Sequence, residues 1–517
     1  MSEYGLDIPA AASVLRSELY GDWYRDPWGW PEFRDEFAVT VSVEDLGVGR
    51  TQNGSIGLVR PPHFQALSMP KIQLGTRPAV NQDPASRLAF TAAALAVAKP
   101  LHEQLPDWVF GWRFREGQIS PSTTEWNSYQ QDARGVLWQS HSLQTDITSY
   151  FASLDVQKFV AFLTDRAGMT VPVRVIAAIL ESHDSLAGRR GFPQRSSASA
   201  FLANVALGPI DDAIAGALSS GRVNAARRWM DDISAEGDEA ALFRLFLEIQ
   251  AGARQVGLEL NSSKTGIYPG PEIYDRIESE DRARVEPTTV GSLIRGEYVD
   301  DAFSPVEHDE LLALEDQLLS NPDVASRSDG KLALRSLREY EIFDRLPEWI
   351  EAAHRVPHLA DSLSRYFADA RLKNADGIDR HEEWFLNYVT TPWGRLDWAR
   401  AQHALAFSSE DMPAGVVGLL WSWLETGTDV QTIAVATQRL ASHDGRRFRT
   451  TVRQRIDSVA DPLLLRVFGL GLVTAGDTQQ MVKSILSRSP YTNLTLKYLE
   501  SVSWRIPTSP IDFDRAS

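Results

Sequence analysis

The stretch "AARRWMDDISAEGD", Ala225 to Asp238, decides how the first half of this chain is read. Two adjacent carboxylates, Asp231 and Asp232, follow the bulky apolar pair Trp229-Met230. Such a pair is either an exposed acidic turn or half of a metal site. At ordinary Asp usage a chain of this length should hold about one or two Asp-Asp pairs by chance. It holds Asp211-Asp212, Asp231-Asp232 and Asp300-Asp301. The pair alone therefore decides nothing, and its surroundings must.

At 517 residues the chain is too long for one core, so two or three domains are expected. Apolar content of 43% and charged content of 23% are those of ordinary globular protein. With no cysteine, disulfides, thiolate metal sites and a Cys nucleophile are excluded. The opening "MSEYGLDIPAAASVLRSELYGDW" carries acids early and lacks the apolar core of a signal peptide. The most apolar runs, "FTAAALAVA" from Phe90 and "MPAGVVGLLWSWL" from Met412, fall short of the roughly 18–20 residues of a membrane span. A soluble, cytoplasmic protein with no membrane partner is expected. The net charge of −17 argues against a basic nucleic-acid coat but leaves room for a local basic groove. Basic residues cluster at Arg189-Arg190 with Arg195, at Arg222 with Arg227-Arg228, and in "RRFRTTVRQR" from Arg446. Each cluster reads either as such a groove or as a solvated face balanced by nearby acids.

Two textures divide the chain. Up to about residue 290, short β-rich runs mix with helices and Gly/Pro turns. Beyond about 305 nearly everything is helical; in "VEHDELLALEDQLLSNP", Leu311, Leu314 and Leu318 share one helix face. Further helices are expected over about 330–352, 358–372, 380–390, 395–408, 413–426, 429–442, 446–458, 462–473, 477–488 and 492–503. This rhythm suggests an α-helical repeat domain of HEAT-like, solenoid type over 305–517. No repeated consensus is visible, which leaves a plain helical bundle open. The charged, Pro- and Gly-broken stretch "ESEDRARVEPTTVGSLIRGEYVDDAFSP" is the expected connection. The aromatic run "YGDWYRDPWGWPEF", Tyr20–Phe33, reads either as a platform for unpaired bases or, more simply, as an N-terminal extension packed on the main domain.

Asp231-Asp232 has company. Upstream, "LQTDITSYFASLD" places Asp146 at a probable strand end, followed by Ile147, Tyr150 and Phe151. "GFPQRSSASAFLANVALGPIDD", from Gly191, is a tight turn leading into an apolar helix. "GLELNSSKTGIY", Gly257–Tyr268, holds Lys264 in a polar turn between strands. Ahead of all of these stand Lys71, Arg77-Pro78 and a helix around Arg87.

This ordered set resembles the reverse transcriptases. Asp146 with Phe151 looks like the family's first catalytic motif, and Gly191-Phe192-Pro193-Gln194 with Ser199 and Leu202-Ala203-Asn204 like its Gly-x-Pro-Gln helix motif. Trp229-Met230-Asp231-Asp232 stands where the family has Tyr-x-Asp-Asp. Gly257-Leu258, Leu260-Asn261 and Lys264-Thr265 match the following Gly-Leu-x-Leu-Asn-x-x-Lys-Thr motif. Arg77-Pro78 and the Arg87 helix match the fingers. The likeness covers roughly residues 60–270, and five motifs in order are hard to produce by chance. It implies a right-hand polymerase fingers–palm domain, α/β in class, over 1–290, followed by the all-α domain.

By that resemblance Asp146, Asp231 and Asp232 are catalytic, and with the Ile147 carbonyl they hold two Mg2+ ions, for which Mn2+ can substitute. The physics of two-metal nucleotidyl transfer agrees, because carboxylates from separate strands must converge on the ions. Phe151 falls at a gate that excludes a ribose 2′-hydroxyl. Ser149, Tyr150, Gln194, Lys71, Arg77 and Lys264 are the other expected nucleotide contacts, with Lys71 and Lys264 equally readable as surface lysines. Asp211-Asp212 and Asp300-Asp301 are then expected to be solvated chance pairs. Two departures stand out: Trp229 replaces the usual Tyr, and Arg195 occupies a position where many bacterial enzymes have Gly.

The second half shows no RNase H acids and no HNH motif, and Pro357 spoils His354 and His358 as a helical metal pair. A reverse transcriptase joined to a long helical array looks like the abortive-infection and related antiphage-defence enzymes of bacteria. That likeness implies dNTPs, RNA (a non-coding RNA in particular), a DNA product and a homo-oligomer. It leaves open synthesis without an added template, primed by a protein hydroxyl, though Tyr340, Tyr366, Tyr388, Tyr491 and Tyr498 read first as packing residues. A retron-like enzyme copying its own structured RNA and a catalytically silent RNA-binding scaffold are the alternatives.

Overall fold

Short β-branched and apolar runs bounded by Gly, Pro and Asp make the strands of the first half. The computed structural model describes residues 3–19, 23–72, 75–119, 125–126, 128–129, 141–270 and 308–506. Within them lie β1 (Val48–Arg50), β2 (Ile56–Leu58), β3 (Phe64–Pro70), β4 (Thr76–Gln82), β5 (Val109–Phe110), β6 (Phe114–Arg115), β7 (Gln118–Ile119), β8 (His141–Thr145), β9 (Val223–Trp229), β10 (Asp232–Gly237) and β11 (Gly266–Pro269). The chain is mixed α/β, mostly helical, with a helical C-terminal region. It divides into two compact units. One comprises Met1–Asp22, Phe33–Phe64 and Ala85–Ala302; the other comprises Trp23–Glu32, Gln65–Pro84 and Phe303–Ser517. The expected connection, residues 278–305, with Asp300-Asp301, lies outside the described residues.

The first unit is built on a five-stranded sheet in the order β11-β8-β10-β9-β5. The pairs β11/β8, β8/β10 and β10/β9 are antiparallel, and β5 adds to β9 in parallel. Between β8 and β9 the chain makes a series of helices, and between β10 and β11 it makes the Glu239–Gln255 helix. Strands β8, β9, β10 and β11 thus follow a β-α-β-β-α-β order with sheet order 4-1-3-2, the split βαβ arrangement. The Glu239–Gln255 helix starts where Asp238 Oδ1 accepts from the amides of Ala240 and Ala241, and it buries Leu242, Leu245 and Ile249. It packs on the Gly208–Ser219 helix and on β8 and β10, so the sheet has a dry side under the helices.

In the second unit each helix packs on the next but one. Arg327–Glu339, Ala360–Leu372, Asp397–Ala404, Val430–His443 and Pro462–Thr474 follow one another in one layer. His308–Ser320, Leu346–Ala352, Asp379–Tyr388, Ala414–Thr426 and Gly445–Arg455 form the other. Three of the turns are short 3-10 segments that open on Pro322, Pro357 and Pro392, evenly spaced 35 residues apart. This spacing was not noticed in the sequence. The run expected as one helix over 330–352 is two, because Glu341 turns left-handed (φ 55°) after Glu339 and Pro347 opens the next helix.

Four of the five arginines of "RRFRTTVRQR", all but Arg446, make contacts within this unit. Arg449 donates to the Ala475 carbonyl and Arg455 to those of Leu424 and Gly427, satisfying groups that helix ends leave open. Arg447 lies 4.0 Å over the Trp421 ring, and Arg453 meets Asp477 at 2.6 Å. The tryptophans of the N-terminal aromatic run are buried in the same unit, so they are not a base platform. Trp398 Nε1 donates to the Trp23 carbonyl (2.8 Å) and Trp28 Nε1 to Thr474 Oγ1 (3.3 Å). Arg466, buried, forks onto Glu32 (2.7 and 2.9 Å) and Asp26 (2.8 and 3.1 Å) and stacks 4.5 Å from the Trp30 ring. Tyr366, Tyr388 and Tyr498 pack as expected, whereas Tyr340 is exposed. Among the described residues no single helix is long and apolar enough to cross a membrane; the bent pair Ser197–Ala206 and Gly208–Ser219 passes by length and composition together.

His381 and His403 lie fully buried among aromatic rings, with Phe367 4.5 Å and Phe407 5.0 Å from His381. Their ring nitrogens have no hydrogen-bond partner among the described residues. Burial holds His403 down at about 3, and burial, with His403 and Arg371 nearby, holds His381 well below the ordinary range. An unfolded chain takes up these protons near pH 6.5 and the fold refuses them. Stability from this pair is therefore intact above about pH 6.5 and declines as the pH falls below it. Replacing His381 with Phe should flatten the loss of thermal stability between about pH 6.5 and 4, as followed by melting curves across that range.

Candidate active site

Asp146 follows β8 directly, and its position is set by three backbone ties. Asn261 N donates to the Asp146 carbonyl (2.7 Å), Ile147 bridges Leu260, and Thr148 N donates to the Glu259 carbonyl (2.9 Å). The Gly257–Lys264 loop is thus laid along the residues after β8. Its Asn261 Nδ2 reaches Asp146 Oδ2 (3.3 Å), and Thr265 Oγ1 meets Thr145 Oγ1 (2.7 Å). The loop also delivers Lys264, whose Nζ stands 2.7 Å from Asp146 Oδ2.

Asp231 comes from the hairpin between β9 and β10. Trp229 pairs with Asp232, so Met230 and Asp231 are the two residues of the turn. Met230 has φ 54°. Positive φ at the first turn position alone is the type II′ pattern, which normally takes Gly there. A buried Met in this conformation stores strain at the carboxylate-bearing turn. The register of β10 on β8 has Ile233 opposite Thr145, so the next residues outward, Asp232 and Asp146, are neighbours across the strands. Asp146 is buried, Asp231 half-buried and Asp232 exposed.

Three carboxylates this close repel. Burial first, then the charges of Asp232 and Asp146, push Asp231 up to about 7, against a smaller pull from Lys264. Its bond to Asp146 holds the Lys264 ammonium above the usual lysine range. A cation is thus already in place on one acid, and it is the protein's own. Among the described residues, no group of three or more acid or histidine side chains is disposed to hold an ion as it stands. The donor set still suits Mg2+: hard carboxylate oxygens at the ends of two adjacent strands.

The Gly191–Gln194 turn is tied to the Tyr150–Ser153 segment that follows Asp146. Phe192 N donates to the Phe151 carbonyl (2.8 Å), and a Cβ on Gly191 would meet that oxygen at 2.1 Å, so only Gly fits. Arg195 takes φ 67°, the left-handed conformation that Gly adopts freely. Gln194 and Phe151 are half-exposed and Ser149 is exposed, its φ of 50° starting the Tyr150–Ser153 turn of helix. Tyr150, expected to touch a nucleotide, is instead buried with its hydroxyl donating to the Ala203 carbonyl. Lys71 and Arg77 belong to the other compact unit, at the β3–β4 hairpin.

Asp211 is not a solvated chance acid. It is buried and bonded to Arg228 through both carboxylate oxygens, at 2.8 and 2.7 Å, while Asp212 is exposed as expected. Seventeen residues separate the partners, so only the tertiary fold reveals the pair. Sequence reasoning missed one more group. Trp126 meets Trp229 edge-on at 4.9 Å, Tyr129 lies tilted at 5.7 Å and Trp112 at 6.0 Å, so Trp229 is the centre of an aromatic cluster.

An unfolded Asp titrates near 3.9, whereas Asp231 in the metal-free fold keeps its proton to about 7. The fold therefore binds more protons than the unfolded chain in that window, and stability falls as the pH rises from about 4 through about 7. Asp231→Asn should melt higher than the wild type at pH 8 without divalent cations, with the gap closing near pH 4. Added Mg2+ should raise the wild-type melting temperature more at pH 8 than at pH 6; scanning calorimetry at the three pH values checks both.

Set beside known proteins, the chain matches no family model, and no curated protein matches it in sequence.

Proposed function

We propose that the chain is a reverse transcriptase, an RNA-directed DNA polymerase that transfers nucleotidyl groups from dNTPs. The observation carrying this reading is the meeting of Asp146 with the Asp231-Asp232 turn across the β8–β10 pair, with Lys264 on Asp146. The 4-1-3-2 sheet supports it, because adjacent strands deliver carboxylates to one edge.

Asp146, Asp231, Asp232 and the Ile147 carbonyl would hold two Mg2+ ions, whose chemistry there is to acidify a primer 3′-hydroxyl and neutralise the triphosphate. Lys264, already reaching Asp146 Oδ2, would position phosphates carried by ions held at that carboxylate, or give a proton to pyrophosphate. Phe151 offers its ring edge to the sugar and excludes a 2′-hydroxyl, and Gln194 contacts the incoming nucleotide. The Trp229 cluster offers a stacking surface for the primer end. The two-layer helical unit, read as a HEAT-like solenoid, supports a homo-oligomer and holds RNA. The setting, by resemblance, is antiphage defence in the bacterial cytoplasm. One observation favours a second reading. The ammonium on Asp146 closes the site to cations as it stands, which suits an RNA-binding scaffold.

The test is incorporation of labelled dNTPs or NTPs, with Mg2+, by the full chain and its co-purifying RNA. The wild type should incorporate dNTPs, and Asp231→Ala with Asp232→Ala should lose roughly a thousandfold or more. Phe151→Val should raise use of NTPs relative to dNTPs by about tenfold or more. A wild type that incorporates neither sinks the polymerase reading in favour of the scaffold.

A further inference from the structure

We propose that Arg228 is a positioning residue: with Asn204 and Asp211 it clamps the Met230-Asp231 turn and ties it to the helix that follows Gln194. The proposal rests on the polymerase reading of the same site.

Arg228 is fully buried, and its guanidinium makes five bonds. Nε and NH2 donate to Asp211 Oδ1 and Oδ2, NH1 to Asn204 Oδ1 (2.6 Å), and NH2 also to the Asn204 carbonyl (3.3 Å). The fifth goes from NH1 to the Met230 carbonyl (2.9 Å). That carbonyl belongs to the peptide joining Met230 to Asp231, so the fork fixes the plane from which the Asp231 side chain departs. A turn with Met in a left-handed conformation relaxes unless its surroundings hold it. Only a planar fork reaches a carboxylate, an amide and a carbonyl together; an ammonium is a point charge on a flexible stem.

The clamp has a second arm. Asn204 Nδ2 donates to the Gly111 carbonyl (2.8 Å), and Gly111, at φ 86°, lies against the Met230 side chain, whose Cγ would be 3.5 Å from an added Cβ. The Arg228 amide itself donates to the Trp108 carbonyl (3.0 Å). Turn backbone, turn side chain and the β5 segment thus converge on Asn204. Asn204 sits on the Ser197–Ala206 helix, which begins just after Gln194 and Arg195. One side chain therefore refers the metal-binding turn and the nucleotide-binding turn to the same point. None of the three clamp residues touches the reacting atoms.

A clamp of this kind should act on metal binding and on the chemical step while leaving nucleotide affinity nearly alone. Asp211→Ala would strand a buried charge, so the informative variants are milder. Arg228→Lys keeps the charge facing Asp211 but loses the fork, and Asn204→Ala removes the hub alone. For the full chain, Mn2+ affinity is read from the free-ion paramagnetic resonance signal, kcat and KM from dNTP incorporation, and folding from melting curves. Both variants should fold, weaken Mn2+ binding and lower kcat by about 10–100-fold, and leave KM for dNTP little changed. Variants with wild-type Mn2+ affinity and kcat overturn the proposal alone. Variants that unfold, or whose losses track their melting temperature, also overturn it, reducing the cluster to a core ion pair. A wild type that neither binds Mn2+ nor incorporates dNTPs overturns the polymerase reading, and this proposal with it.

Discussion

The register of β10 against β8 is the constraint on which the site depends. With Ile233 opposite Thr145, Asp232 must lie beside Asp146, because antiparallel partners advance together. A slip of one residue would turn the acids to opposite faces of the sheet. What pins the register is the apolar side of the same strands, where Leu143, Ile233 and Ala235 are buried beneath the Glu239–Gln255 helix. Hydrophobic burial thus holds in place three charges that would rather separate. The lifted Asp231 carboxyl and the ammonium drawn onto Asp146 are the two visible relaxations of that repulsion.

In the helical unit the recurrent device is arginine at helix ends. Arg449 reaches the open end of the following helix, and Arg455 reaches that of the next helix but one before it in the chain. Arg466 has a different duty. It brings two buried carboxylates and an aromatic ring to one point, and its charge is what makes their burial tolerable. Basic composition here is structural cement, consistent with a chain whose net charge is strongly negative.

How much of this was legible in the sequence depends on the range of the interaction. The hairpin at Asp231-Asp232, the strand end at Asp146 and the loop carrying Lys264 were readable, because turn residues and short apolar runs act locally. Tyr150 and Phe151 show the limit: both are aromatic, one points inward and the other does not, and only the Ala203 carbonyl decides which. Asp211 looked like surface because its partner lies beyond a whole helix. The Trp-rich run and the hairpin with Lys71 and Arg77 join the second unit through contacts far apart in the chain, which no local pattern encodes. The even spacing of Pro322, Pro357 and Pro392 is present in the sequence, but single prolines among varied helices make no consensus.

The bond from Arg466 to Asp26 spans 440 positions of the chain. A ribosome must therefore release residues near both ends before that corner of the helical unit can close. Until then Asp26, Glu32 and three tryptophans wait in the open, an exposure that chaperones are suited to cover. The same feature bears on dissecting the molecule. A fragment cut after the first unit and begun near residue 305 would keep Arg466 but leave its two acids behind, burying a charge with no counterion. The two units are distinct as packed bodies, yet the chain does not offer them as separable pieces.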